Sequence, residues 1–115
     1  MFTDIYFSPI LVNDLTEVIL KLLEEDRQGM YHVCASGCIC KYDFGKYLQS
    51  IFSLNEGGIE KSQSDHFPFK ARRSKHMGMS NKKVRETLGI SLPSPEESIE
   101  RFYQLFCDGY HEEIK

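Results

Sequence analysis

No run of apolar residues in this sequence approaches the ~18 needed to span a bilayer. The first ten residues, MFTDIYFSPI, lack the basic region and apolar core of a signal peptide. The expectation is therefore a soluble, cytoplasmic protein with no membrane partner. An excess of charge is also absent. Fourteen Lys and Arg against seventeen Asp and Glu leave a net charge of −3, which gives no reason to expect a nucleic-acid partner. No segment repeats, and none is of low complexity. There is no G-x-G-x-x-G and no P-loop, so the chain offers no glycine cradle for a cofactor's phosphates. No nucleophile, base and acid stand out as a catalytic set.

What is present fits one domain: 115 residues, 41% of them hydrophobic, enough for a modest core. NDLTEVILKLLEED predicts a helix from about 14 to 25. Asn13 or Asp14 is its cap, Glu17 closes a capping box with Asp14, and Leu15, Val18, Ile19, Leu22 and Leu23 form its stripe. Glu17 and Lys21 form an i, i+4 pair off that face. GMYHVCA, entered through Gly29, predicts a short buried strand at 30–34. CKYDFGKYLQSIF returns to helical period, with Cys40 in the cap position, Asp43 at N3 and an Asn55-Glu56-Gly57-Gly58 stop. IEKSQS predicts a second short strand near 59–62. Ser80 caps a short helix that stops at Gly89. Ser94, Pro95 and Glu97 make the best capping box in the chain, ahead of Ile99, Phe102, Tyr103 and Phe106, with a stop at Gly109. Two short strands cannot bury four amphipathic helices, so an apolar surface is expected to remain exposed.

CASGCIC, residues 34–40, puts three cysteines in seven residues, with His32 upstream. Two readings stand. One is a zinc site completed by Cys107 and His111; the other is a core thiol, a turn thiol and a helix cap. The C-x₃-C-x-C spacing departs from zinc patterns and favours the second. The densest polar cluster is KARRSKH, 70–76. A solvated face is its plain reading. Against that, Arg72 and Arg73 follow an aromatic-proline stretch, HFPF, in a loop between elements. Arginine is suited to bidentate capture of phosphate, so a sugar-nucleotide diphosphate would be a fitting partner.

FSPILVNDLTEVILKLLE resembles the SPT-x-V-x-DLA segment of the dTDP-4-dehydrorhamnose reductase family. GMYHVCASGCICKYDFGKYL resembles that family's G-x-YH-x-S-G-x-x-x-S-x-x-EFA. KARRSKHMGMSNKKVRETLGI resembles A-x-RP-x-x-S-x-L-x-x-x-K-x-x-x-LGI, and LPSPEESIERF fits the closing helix. The four segments fall in one order from about Phe7 to Phe106. Cys40 stands where the family has its Ser cap, Cys38 at a variable turn, and Cys34 at the strand end. The family has no zinc there, so the resemblance favours thiols and no metal. Ser74 replaces the proline of RP, which is expected to loosen the loop. Ile10 replaces the Thr of SPT. Gly45 replaces a helical Ala, at ~1 kcal/mol relative to Ala.

The resemblance implies an extended short-chain dehydrogenase/reductase whose N-terminal Rossmann part carries the glycine loop and a Tyr-x-x-x-Lys pair. Neither is in these residues. The expectation is an α/β architecture: a small α-rich lobe with two short strands and about four helices, the C-terminal part of an NAD(P)-binding Rossmann-type reductase. Residues 1–115 would form one substrate-binding domain, with the Rossmann part absent. Expected partners are a nucleotide-sugar substrate, that missing part, and a second copy in a homo-oligomer. NAD(P)H would serve the complete oxidoreductase in reducing a 4-keto nucleotide sugar of dTDP-rhamnose-type biosynthesis. This chain would bind no cofactor and have no catalytic residue or activity alone. Arg73, then Arg72, are the expected nucleotide or phosphate contacts, with Ser8 and Pro9 at the cleft edge. The rival reading is a non-catalytic interaction module of the same fold, like the regulatory beta subunit of methionine adenosyltransferase.

Overall fold

A computed structural model describes residues 1–55 and 57–114. Of the expected stop at 55–58, Glu56 lies outside the described residues. Among the described residues there are five helices and one three-stranded sheet of two-residue strands. In chain order the elements are β1 (Tyr6–Phe7), α1 (Val12–Glu24), β2 (Ile39–Cys40), α2 (Lys41–Ile51), a 3₁₀ turn (Ser64–His66), β3 (His76–Met77), α3 (Lys82–Leu88), α4 (Pro95–Cys107) and α5 (Tyr110–Glu113). β1 is central. β2 pairs with it antiparallel, Tyr6 opposite Cys40, and β3 parallel, Tyr6 opposite His76. Among the described residues no helix is long and apolar enough to cross a membrane.

Side-chain packing joins the helices to one another. Val18 of α1, Val84 of α3 and Leu92 form a buried cluster, with Leu22, Tyr31, Val33 and Leu88 against it. α2 and α4 meet through Phe52, whose ring lies 5.0–5.6 Å from those of Phe102, Tyr103 and Phe106. α4 starts as its sequence demands: Ser94 and Glu97 form a reciprocal capping box with Pro95 at the first helical position. Gly89 ends α3 at φ 62°, a left-handed conformation that favours glycine. Cys40 caps α2, its Sγ accepting from the Asp43 N–H at 3.4 Å and donating to Asp43 Oδ2 at 3.1 Å. A serine would make both contacts with shorter, stronger bonds. Cys40→Ser is expected to leave stability unchanged or slightly raised in urea unfolding, and a loss above ~1 kcal/mol would contradict the cap assignment.

The structure corrects several expectations. Residues 30–34 are not a paired strand: the ladder forms instead between β1 and Ile39–Cys40, and among the described residues no backbone hydrogen bond joins 30–34 to another strand. Near 59–62 the pairing reduces to one bridge, Phe2 to Ser62, because the chain turns at once into Ser64–His66. α1 begins two residues early, after Leu11. Asp14 therefore cannot cap it; the side chain is buried and its carboxylate takes Arg101 of α4. Glu17 likewise pairs with Arg101, at 3.0 Å. α3 follows Asn81, although Ser80 Oγ still accepts the Lys82 N–H at 3.4 Å. Gly45 has a spatial reason: a Cβ there would come within 2.5 Å of Met1 Sδ, which would have to move aside.

Candidate functional site

The loop between the 3₁₀ turn and β3 lines an open, solvent-exposed hollow of about 860 Å³, formed by Phe67, Phe69, Arg72, Arg73, Lys75 and His76 among others. Two forces shape it. The aromatic pair comes from HFPF: Phe67 and Phe69 lie 4.7 Å apart and both rings rest on Phe2, at 5.9 and 5.6 Å. The second force is an ionic tether. Asp4 accepts from the Ser64 N–H at 2.9 Å and from the Ser64 hydroxyl at 2.7 Å, and it pairs with Lys75 at 3.1 Å. Lys75 also reaches Asp65 at 2.7 Å. Ser74, where the resembled family has proline, donates its hydroxyl to the His76 carbonyl at 3.1 Å and so bonds the loop to β3.

The Ser64 hydroxyl, ahead of the backbone bonds and Lys75, holds the Asp4 carboxyl down at about 2, from 3.8. A depressed carboxyl stabilises the fold above its unfolded pKa and loses that contribution as pH falls through its folded one. The tether should therefore hold down to about pH 4 and fail toward pH 2. NMR titration of the Asp4 carboxyl should give a midpoint near 2. In Ser64→Ala the midpoint should move back toward the ordinary value; no movement would show the hydroxyl does not set it.

Arg72 and Arg73 differ from Lys75. Neither makes a salt bridge or hydrogen bond to another described residue. The Arg73 guanidinium sits over the Phe69 ring, 5.2 Å from its centroid, which positions it without neutralising it. The cavity thus offers uncompensated cations beside flat apolar walls. That combination suits an anion carrying a ring.

Ser8 and Pro9 lie elsewhere. Ser8 is buried past the end of β1, its Oγ 3.3 Å from Cys38 Sγ and accepting the Met79 N–H at 3.4 Å. Pro9 lines a separate apolar cleft of about 290 Å³ between α2 and α4, with Phe44, Ile99 and Phe102. The structure brings Arg72 and Arg73 together but places neither Ser8 nor Pro9 in their cavity. Asp4 and Ser64, which shape the site, went unread in the sequence. Their signal is weak, since an acid and a serine sixty residues apart carry no local pattern.

The three clustered cysteines make three different contacts, with Cys34 and Cys38 both close to Met79. Cys34 is buried and its thiol donates to the Met79 carbonyl at 3.4 Å, Cys38 meets Ser8, and Cys40 caps α2. Among the described residues no three His, Cys, Asp or Glu side chains gather as a metal site.

Residues 1–107 match the family described as RmlD substrate binding domain. The chain is 27% identical to a dTDP-4-dehydrorhamnose reductase of Sinorhizobium fredii, over 87% of this chain and 35% of that protein. It is 24% identical to a probable low-salt glycan biosynthesis reductase of Haloferax volcanii, over 94% of this chain and 36% of that protein. In structure it is similar to the Bacillus anthracis dTDP-4-dehydrorhamnose reductase in complex with NADP, with TM-score 0.80 and 28% identity over 89% of this chain and 36% of that one. The Clostridium acetobutylicum reductase shares the fold at TM-score 0.78, with 24% identity over 92% of this chain and 38% of that one. The chain thus spans about a third of the length of these relatives.

Proposed function

The chain belongs to the RmlD substrate binding domain family, and we propose that it forms the nucleotide-sugar-binding part of an NAD(P)H-dependent reductase of the dTDP-4-dehydrorhamnose reductase type. One observation carries this: Arg72 and Arg73, free of carboxylates, line a cavity walled by Phe67 and Phe69. Their guanidiniums supply paired donors for a diphosphate, and the rings supply a flat face for a base or sugar. Lys75 is committed to Asp4 and Asp65 and acts as a strut rather than a ligand.

The cofactor belongs to the remainder of the enzyme. This chain has no glycine-rich strand-to-helix turn, and the N-termini of α2 and α4 are occupied by their own caps, Cys40 and Ser94. Reduction of a 4-keto sugar needs groups that these residues do not include, so this domain alone should bind substrate without turning it over. Calorimetric titration with dTDP tests the reading. Saturable binding that fades with salt supports it, and no heat above dilution at millimolar dTDP overturns it.

A further inference from the structure

CASGC, residues 34–38, carries two thiols that the substrate site does not use. The sheet places one of them. Phe7 lies opposite Ile39 of β2 and Met77 of β3, so one step further Ser8 stands between Cys38 and Gly78. The Cys38 side chain crosses Ser8 into the slot that Gly78 leaves: a Cβ on that glycine would collide with Cys38 Sγ. Ser8 Oγ lies 3.3 Å from the same sulfur and accepts the Met79 N–H at 3.4 Å. Cys34 reaches the next residue of that segment, its thiol donating to the Met79 carbonyl at 3.4 Å.

Extended chain would part residues 34 and 38 by about 13 Å. Contacts with the adjacent residues 78 and 79 require the chain to fold back between the two cysteines, and Gly37, at φ 109°, stands in that turn. Electrostatics gives a second sign of closeness. Burial, and after it the neighbouring Cys38, push the Cys34 thiol up. Cys38 is exposed and Cys34 is buried. Redox-sensing thiols have this form, an accessible sulfur with a resolving sulfur beside it. The other two cysteines are placed differently. Cys40 both accepts from and donates to Asp43, and Cys107 is the last residue of α4.

We propose that Cys34 and Cys38 form a reversible oxidation site, which hydroperoxides convert to an intramolecular disulfide. The Cys38 thiolate attacks one oxygen of the hydroperoxide. An S–O bond forms and the O–O bond breaks. The departing oxygen takes up a proton and leaves as an alcohol, or as water from hydrogen peroxide. The Cys34 sulfur then attacks the sulfenic sulfur of Cys38. The S–S bond forms, the S–O bond breaks, and hydroxide leaves as water with the Cys34 proton. Each sulfur gives up one electron, and the hydroperoxide accepts both. The bridge draws Cys38 away from Ser8 and Gly78, and Cys34 off the Met79 carbonyl, so it loosens the segment that follows β3.

Mass spectrometry of the 115-residue chain after stoichiometric hydrogen peroxide and alkylation tests this. The product should be a monomer two hydrogens lighter, with two of its four thiols lost to alkylation. Fragment spectra should join residue 34 to residue 38, and dithiothreitol should restore every thiol. A bridge from Cys38 to Cys40, or to a second chain through Cys107, overturns the proposal. So does a sulfinic acid on Cys38 beside a free Cys34. The double variant Cys40→Ser/Cys107→Ser leaves only the proposed pair. Its two thiols should disappear together, at a rate unchanged on dilution of the chain. A rate that falls with dilution puts the bridge between chains and overturns the assignment.

Discussion

Replacing Arg73 by alanine in the complete enzyme is expected to weaken nucleotide-sugar binding by roughly 10- to 150-fold. A hydrogen bond to a charged group contributes about 1.5–3 kcal/mol, and 1.4 kcal/mol is about one decade in affinity. The guanidinium is well placed for this. It stands over Phe69, has no carboxylate to release, and lines the cavity directly. Loss of the contact with Phe69 should cost only about 0.5–1 kcal/mol of stability at an exposed position. The binding defect is thus distinguishable from unfolding. Arg73→Lys should recover part of the affinity, since an ammonium keeps the charge but not the fork. NAD(P)H affinity should be unchanged in both variants. Calorimetry on the three proteins decides: unchanged sugar-nucleotide affinity in the alanine variant reduces the basic loop to a solvated face.

How much of this was legible in the sequence depends on how local each cause is. Two caps were readable because they act over three residues: Ser94 with Glu97, and Cys40 with Asp43, stand where the sequence puts them, whereas the box at Asp14 and Glu17 fails because α1 starts at Val12. The Gly89 stop was readable for the same reason. The strands were not. A two-residue strand carries no periodicity, and β1 exists because Ile39–Cys40 and His76–Met77 arrive beside it from far along the chain. Residues 30–34 show the converse. Their alternation is real and visible in Tyr31 and Val33, yet pairing needs a neighbouring strand, and none among the described residues bonds to them. For the candidate site, KARRSKH pointed to Arg72 and Arg73 because the cations are contiguous, while HFPF was read only as the stretch preceding them and Phe67 and Phe69 were not singled out. The tether through Asp4 and Ser64 was hidden by sequence distance. Asp14 offered a missed clue. It shares a helix face with Val18 and Leu22 at i, i+4 and i+8, and an acid on an apolar stripe needs a partner.

That partner is Arg101, and its loss should destabilise the fold more than its half-exposed position suggests. Arg101 bonds Asp14 Oδ1 through Nη1 and Glu17 Oε1 through Nη2 at 3.0 Å, tying α4 to α1. The Asp14 side chain is only 5% exposed, and its Oδ2 is buried with no hydrogen-bond partner among the described residues. Breaking a buried ion pair costs about 3–5 kcal/mol because one charge is stranded. The Arg101 side chain is 45% exposed, so solvent already screens part of the attraction. Arg101→Ala should therefore cost about 2 kcal/mol at pH 7, a fall of roughly 10 °C in Tm for a domain of this size. Burial pushes the Asp14 carboxyl up, and the guanidinium beside it pulls the other way. Removing the arginine lets burial act unopposed and raises it further. A carboxyl that titrates higher folded than unfolded binds its proton more tightly in the fold, so its penalty is full above the folded pKa and is relieved as pH falls through it. The deficit of Arg101→Ala should thus be largest near neutrality and shrink on acidification. The double variant Asp14→Leu/Arg101→Met should regain most of the lost stability, since matched apolar side chains replace such pairs at little cost. Urea unfolding across the pH range checks all three. A deficit that is small at pH 7, or that does not change with pH, would mean the Asp14 charge is not held by Arg101.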